Sequence, residues 1–222
     1  MYISKIEFDA HAVAQHGLYG RHGTGLYAGH RELWALFADG PDRKRDFLYR
    51  QNGPTSFLAV SAREPADRPF VRRLVVKPYQ VRLRVGEHVA FALRLNPVIK
   101  RRNAQGRQLR VDLVQNERLR LLHEGATPAS LPRRSILAQN ILPGWLARHN
   151  IGLDVALPTL LVDSYSQRRF QHPVSGQPVT LACLDIQGRG EVQDPEALVR
   201  ALYRGVGCAK GFGFGLLLVR RL

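Results

Sequence analysis

The 222-residue sequence contains little cysteine and no long apolar run. Its two cysteines, Cys183 and Cys208, lack the paired CxxC spacing of zinc sites and suggest no disulfide framework. No apolar segment approaches the roughly 20 residues that a membrane-spanning helix needs, so no membrane partner is expected. Residues 1–5 run directly into a strand-like pattern without the features of a signal peptide, which predicts a cytoplasmic protein.

Metal-binding patterns are also missing from the sequence. There is no His-Glu-x-x-His motif, and the carboxylates are scattered along the chain instead of clustered. We therefore expect no metal ion and no other cofactor, and a two-metal mechanism for phosphate chemistry is disfavoured.

Acidic residues are scarce relative to basic ones. Lysine and arginine total 33 against 18 aspartate and glutamate residues, which gives a formal net charge of +15. Such an excess favours a nucleic acid, an anionic membrane surface or an acidic protein as the partner. Only five of the basic residues are lysines, and the planar donors of arginine match phosphate oxygens and guanine edges. A GC-rich genome would explain arginine over lysine but not basic over acidic, so a nucleic acid is favoured.

The order of predicted strands and helices indicates an α+β fold made of two similar halves. In the first half a strand at 2–8 precedes a helix that places Leu33, Trp34, Leu36 and Phe37 on one side. In the second half we predict strands at 89–95, 157–162, 179–186 and 215–219, a polar tip at 164–177, and helices at 113–123, 135–149 and 195–204. Each half reads roughly βαββαβ, although the second helix of the first half is poorly signalled. This order predicts two tandem ferredoxin-like, RRM-like domains, at residues 1–87 and 88–222.

Two Tyr-x-x-His motifs, ending at His22 and His30, are candidates for chemistry on RNA. Cleavage without a metal needs proton transfer while the RNA's own 2′-hydroxyl attacks the adjacent phosphorus, and histidine titrates near neutrality. The second motif, Tyr27-x-x-His30, leads into the apolar helix, so we predict His30 at a helix start, where backbone amides favour a bound phosphate. An ordinary exposed histidine remains the alternative on composition alone.

A glycine-rich segment and several basic clusters are the other unusual features. The glycines at 205–215 allow either a close approach of RNA or a helix cap followed by a tight turn. Charge runs are usually solvated faces, but these lie in loops and at a hairpin tip, which favours contacts to a duplex backbone. Phe170 and Tyr165 are candidates for base stacking or for packing. The residues predicted to bind RNA are Lys100, Arg101, Arg102, Arg107, Arg110, Arg133, Arg134, Arg168, Arg169 and Lys210.

Taken in order, these motifs resemble one family. Five features together resemble CasE: the Met-Tyr-Ile-Ser-Lys strand, the Tyr27-x-x-His30 helix, the Arg-Asp-Phe-Leu-Tyr segment at 45–49, the strand ending in Asn96-Pro97 and the terminal glycines. CasE is the CRISPR repeat-processing endoribonuclease of the type I-E Cascade complex. The resemblance extends over nearly the whole chain.

This resemblance implies a function and roles for particular residues. It implies metal-independent cleavage of precursor CRISPR RNA at the 3′ base of the repeat stem-loop, leaving a 5′-hydroxyl and a 2′,3′-cyclic phosphate or its 3′-phosphate. The implied partners are the repeat RNA stem-loop and the other Cascade subunits. By position, His30 and Tyr27 become the catalytic pair, and Arg168 and Arg169 fall on the RNA-gripping hairpin. His22 is the second choice. A non-catalytic RNA hairpin-binding module is the competing interpretation, and no helix-turn-helix signature supports a DNA-binding regulator.

Overall fold

The structure, a computed structural model, describes residues 1–15, 26–38, 40, 44–171 and 176–222. In these ranges the chain forms two larger antiparallel sheets and one separate hairpin. Within the same ranges, no helix combines the length and the apolar character that crossing a membrane requires.

The first sheet belongs to the N-terminal half of the chain. Its strands lie in the spatial order β2-β3-β1-β4, which is the order of a ferredoxin-like sheet. The elements of this half are β1 (Tyr2–Phe8), α1 (Ala10–Gln15), α2 (Leu26–Phe37), β2 (Phe47–Gln51), β3 (Ser56–Ser61) and β4 (Val71–Pro78). The two helices connect β1 to β2. A core of Ile6, Phe8, Leu33, Phe37 and Phe57 fills the space between sheet and helices. The segment from β3 to β4 is described throughout and contains no helix, in keeping with its weak signal in the sequence.

The second sheet belongs to the C-terminal half, and its strands follow the order β11-β5-β10-β8, with β9 also paired to β10. The elements of this half are β5 (His88–Leu95), β6 (Val98–Arg102), β7 (Gln108–Asp112), α3 (Leu113–His123), α4 (Arg134–Ala147), β8 (Leu153–Val155), β9 (Leu161–Gln171), β10 (Pro178–Val192), α5 (Pro195–Arg204) and β11 (Leu217–Arg221). Two ferredoxin-like units in tandem, the predicted fold, are therefore confirmed. The domain boundary between residues 87 and 88 stays a prediction.

Local signals in the second half had different outcomes. Asp194 caps α5 as expected, because its Oδ1 accepts a hydrogen bond from the Ala197 amide at 2.8 Å and Pro195 occupies the first turn. The strand predicted at 157–162 is wrong: Leu157–Thr159 forms a 3-10 turn, and β9 starts only at Leu161. The polar tip predicted at 164–177 is shorter than expected, because pairing with β10 extends β9 to Gln171.

Strand β2 joins the two halves. On one face, Phe47 and Tyr49 belong to the core under α2. On the other face, Leu48 packs with Val60 and with Leu216 of the C-terminal half. Strand β2 is therefore one of the connections between the core under α2 and the second half.

Candidate active site and nucleic-acid interface

Helix α2 carries both predicted catalytic positions. It begins at Leu26, so it starts about one turn earlier than the sequence pattern predicted. Tyr27 lies in the first turn, whereas His30 lies in the second turn, beyond the four amides that a helix start leaves free. Their spacing of three residues places the two positions on the same face of the helix. The side chains of Tyr27 and His30, and all of His22, lie outside what the structure describes.

The described part of α2 is held where the two halves of the chain meet. The Phe37 ring stacks on Phe47 with centroids 4.3 Å apart, and Trp34 packs on the same ring at 5.7 Å. The helix also contacts β9 and the 3-10 turn Lys210–Phe212 in the glycine-rich segment. These contacts bring the Tyr27-x-x-His30 helix beside the strand that carries Arg168 and Arg169.

A buried carboxyl group in α2 is a feature that sequence reasoning missed. Glu32 is 3% exposed, and its Oε1 has no hydrogen-bond partner among the described residues. Burial raises the pKa of this carboxyl to about 7. The Nη1 of Arg45 is likewise buried without a partner in the described part of the chain, and burial lowers the pKa of that guanidinium. Burial raises the pKa of the nearby Tyr49 phenol. The charge of Arg45 opposes this rise, and the charge of Glu32 adds to it.

The glycine-rich segment packs closely against the N-terminal half. The Tyr49 hydroxyl donates a hydrogen bond to the Gly211 carbonyl at 3.0 Å. A Cβ at Gly213 would lie 2.9 Å from the Tyr49 ring, and one at Gly205 would lie 2.9 Å from a Leu48 methyl carbon. Gly205 ends α5 with a φ of +73°. These contacts favour the cap-and-turn interpretation of the glycines. They also explain why positions 205 and 213 have no room for a larger side chain.

Lys210 lies in the same segment and binds the end of α5. Its Nζ donates hydrogen bonds to the carbonyls of Arg204 and Gly205, at 2.7 and 2.8 Å. Burial and the nearby Arg45 charge lower the pKa of this ammonium. Two of its three protons therefore hold the end of α5, and its contact with RNA stays a prediction.

The hairpin of β6 and β7 presents a concentrated positive charge. Lys100 and Arg110 are direct cross-strand neighbours, and both are exposed, as are Arg101, Arg102 and Arg107. Like charges opposite each other destabilise a hairpin unless an anion screens them. The loop between the strands is ordered by Asn103, whose Oδ1 accepts hydrogen bonds from two following amides, at 3.1 and 2.8 Å. The predicted basic cluster is thus a formed hairpin suited to an anionic partner.

A groove of about 620 Å³ lies between α3, α4 and β9. It brings the predicted residues Arg133 and Arg134 together with Arg118, which the sequence did not single out. Hydroxyl and amide side chains of Ser164, Ser166 and Gln167 belong to the same groove, and the exposed Arg168 and Arg169 follow along β9. Cations, hydroxyls and amides are the groups that contact nucleic-acid phosphates and sugars.

The two aromatic candidates for base stacking are packed against the protein. The Tyr165 hydroxyl donates to Asp112 Oδ2 at 2.8 Å, and the Phe170 ring lies 5.0 Å from that of Phe212. These contacts favour the packing alternative for both side chains.

Across the described ranges, no three or more His, Cys, Asp or Glu side chains are grouped so that they would hold a metal ion. Cys183 and Cys208 are both free thiols.

Similarity to known proteins identifies the family. The family model described as CRISPR associated protein matches residues 1–221. The chain belongs to this CRISPR-associated family. Over 197 residues it is 28% identical to the CRISPR system Cascade subunit CasE of Escherichia coli K12. The aligned region covers 86% of this chain and 90% of that relative. The resemblance to CasE is thereby confirmed.

Solved structures of CRISPR-associated proteins share the fold. The CRISPR endoribonuclease Cse3 bound to a 19-nucleotide RNA superposes with a TM-score of 0.65 at 22% identity, covering 99% of this chain and 98% of that one. Thermus thermophilus Cse3, bound to an RNA representing a pre-cleavage complex, gives a TM-score of 0.63 at 21% identity, with 99% and 98% coverage. At these identities the likeness is one of fold.

Proposed function

We propose that this protein is an endoribonuclease that cleaves precursor CRISPR RNA at the base of the repeat stem-loop. The observation that carries the proposal is the contact of α2, the helix of Tyr27 and His30, with β9, the strand of Arg168 and Arg169. This contact brings a histidine-bearing helix beside a basic surface that suits a duplex. The relatives support the same activity, because Cse3 is named a CRISPR endoribonuclease and was solved bound to RNA.

The duplex would be held mainly through its phosphates. The groove of Arg118, Arg133 and Arg134 runs into the basic part of β9, and the β6–β7 hairpin adds further exposed cations. A-form RNA hides most base edges in a deep major groove, so contacts to phosphates and 2′-hydroxyls select the stem by its shape. Arg101 Nη1 donates to Asn116 of α3 at 3.4 Å, which connects the hairpin to the groove.

The chemistry requires only the RNA's own nucleophile. The 2′-oxygen loses its proton and bonds to the adjacent phosphorus, the bond from phosphorus to the 5′-oxygen breaks, and the 5′-oxygen gains a proton. We assign His30 to one of these two proton transfers and Tyr27 to the orientation of the phosphate or the 2′-hydroxyl. The products of this step are a 5′-hydroxyl and a 2′,3′-cyclic phosphate, which the addition of water opens to the 3′-phosphate, and no metal ion takes part.

The product complex and its partners follow from the same proposal. The protein stays on the hairpin of the mature guide and joins the other Cascade subunits, as the E. coli relative is itself named a Cascade subunit. We place the reaction in the cytoplasm.

The test uses a labelled repeat RNA incubated with the protein in excess EDTA. We expect the wild-type chain and His22→Ala to cut at one position. His30→Ala should bind equally well but cut about 10²- to 10⁴-fold more slowly, which is the usual contribution of a proton-transferring side chain. Tight binding of uncut RNA by the wild-type chain would instead support a non-catalytic module. Loss of cutting in His22→Ala alone would move the catalytic role to the other Tyr-x-x-His motif.

A further inference from the structure

A partly buried ion cluster connects the two halves of the chain. The carboxylate of Asp185, on β10, accepts two hydrogen bonds from Arg94 of β5, at 2.9 and 3.1 Å. Arg50, on β2 of the N-terminal half, places its Nη2 3.3 Å from the same carboxylate. In return, Arg94 Nη1 donates to the Gln51 carbonyl of β2 at 2.8 Å. One carboxylate is therefore shared by an arginine from each half.

Stability alone does not account for this cluster. The side chains of Arg50, Arg94 and Asp185 are only 19%, 18% and 15% exposed, so all three have lost most of their water. Desolvating such charges cancels much of their attraction, and apolar side chains of similar volume would hold an interface as well. The forked geometry of arginine on a carboxylate, however, fixes direction and distance. The cluster is thus suited to setting how the two halves are aligned.

On the N-terminal side, the cluster acts on the strand that supports α2. Phe47 and Tyr49 contact the core under α2 from one face of β2. Arg50 and Gln51, at the end of the same strand, make the bonds to the second half. A shift of β2 relative to Asp185 therefore moves α2, which carries Tyr27 and His30.

On the C-terminal side, the cluster lies at the base of the hairpin of β9 and β10, which carries Arg168 and Arg169. Asp185 is opposite Ser164 in the ladder, and Thr180 of the same strand is opposite Arg169. The five residue steps from Asp185 to Thr180 span about 17 Å along an extended strand. The position of Asp185 therefore sets where the arginines of β9 lie relative to α2.

We propose that Arg50, Arg94 and Asp185 are positioning residues that fix the distance between the RNA-gripping hairpin and helix α2, and so select which phosphodiester is cut. This inference rests on the proposed endoribonuclease function. None of the three side chains contacts the RNA; they act by alignment of the two groups that do.

The test separates alignment from binding and from stability. Arg50→Met removes the ion pair from the N-terminal half and leaves the Arg94–Asp185 pair and the Arg94–Gln51 hydrogen bond in place, so the fold is preserved. Asp185→Asn weakens both ion pairs. The matched control is Arg200→Met, which removes two exposed ion pairs at the start of α5. For each variant we would measure affinity for an uncleavable repeat with deoxyribose before the cut, the single-turnover rate constant with saturating protein, and the cut position at nucleotide resolution.

We expect Arg50→Met and Asp185→Asn to bind like the wild type but to cut up to about 100-fold more slowly, because a misplacement of about 1 Å costs that much. New products at neighbouring phosphodiesters should appear, and Asp185→Glu should recover part of the rate. Mere instability would lower the active fraction without changing the rate constant or the cut position. An unchanged rate constant and cut position in both variants, or a loss of affinity that accounts for the whole loss of rate, overturns the inference while the endoribonuclease stands. If the wild type leaves the repeat uncut, the proposed function itself fails.

Discussion

The buried carboxyl of Glu32 should make the stability of this protein depend on pH. Glu32 is 3% exposed in α2, and its Oε1 has no partner among the described residues. Glu32→Gln keeps the shape of the protonated carboxyl and removes the ability to ionise. The variant therefore isolates the cost of placing a negative charge at this position.

The sign and size of the effect follow from the pKa of Glu32, which burial raises from 4.5 to about 7. The folded chain holds the proton more tightly than the unfolded chain does. The stability this gives is fully present below pH 4.5 and is lost as the pH rises to about 7. One pKa unit corresponds to about 1.4 kcal/mol, so the whole loss is about 3 kcal/mol as an upper figure. Glu32→Gln should equal the wild type in acid and exceed it by up to that amount in neutral solution.

Urea unfolding followed by tryptophan fluorescence, from about pH 5 to about pH 8, measures this difference. Trp34 is a useful reporter because it lies in the same helix. Glu196→Gln is the matched control, since the Glu196 side chain is 89% exposed. A difference between Glu32→Gln and the wild type that stays constant across this pH range would refute the reasoning.

Two further predictions concern the groove and the glycines. Replacing Arg118, Arg133 and Arg134 with alanine should weaken repeat binding and reduce the slope of log affinity against log salt by about 2 to 3, which titrations at several salt concentrations measure; an unchanged slope contradicts the assignment of the groove. Gly152→Ala should lower the free energy of unfolding by more than about 1 kcal/mol, because Gly152 has a φ of +74° and a Cβ would lie 2.3 and 2.5 Å from two backbone atoms. Gly144→Ala in α4 should instead raise the free energy of unfolding by about 0.5 to 1 kcal/mol, because a Cβ there would have nothing within 4 Å. Denaturant unfolding of the two variants checks the opposite signs.

Local patterns predicted the fold well where the signal lay within one element. The helix predicted at 113–123 has the same bounds in the structure, and the cap of α5 depends only on neighbouring residues. The strand predicted at 157–162 fails because an apolar run does not reveal that Leu157–Thr159 turns instead of pairing. The sequence pattern predicts a start of α2 that is too late, because the first turn lacks the apolar periodicity of the later turns.

The site was less predictable, because its geometry depends on residues far apart in the chain. Arg94 and Asp185 are 91 positions apart, and no local pattern pairs them. Glu32 resembles a solvent-facing helix residue in the sequence, and only the packing of α2 reveals that it is buried. Arg118 joins Arg133 and Arg134 only because α3, α4 and β9 enclose one groove.

The central claim is that the RNA supplies its own attacking oxygen, and one substitution in the substrate tests it most directly. A repeat RNA with a single deoxyribose immediately before the cut should bind with unchanged affinity and remain intact in EDTA. Under the same conditions the all-ribose repeat should be cut once. Cleavage of the deoxyribose-containing repeat at the same position would contradict attack by the 2′-hydroxyl, and with it the roles assigned to His30 and Tyr27.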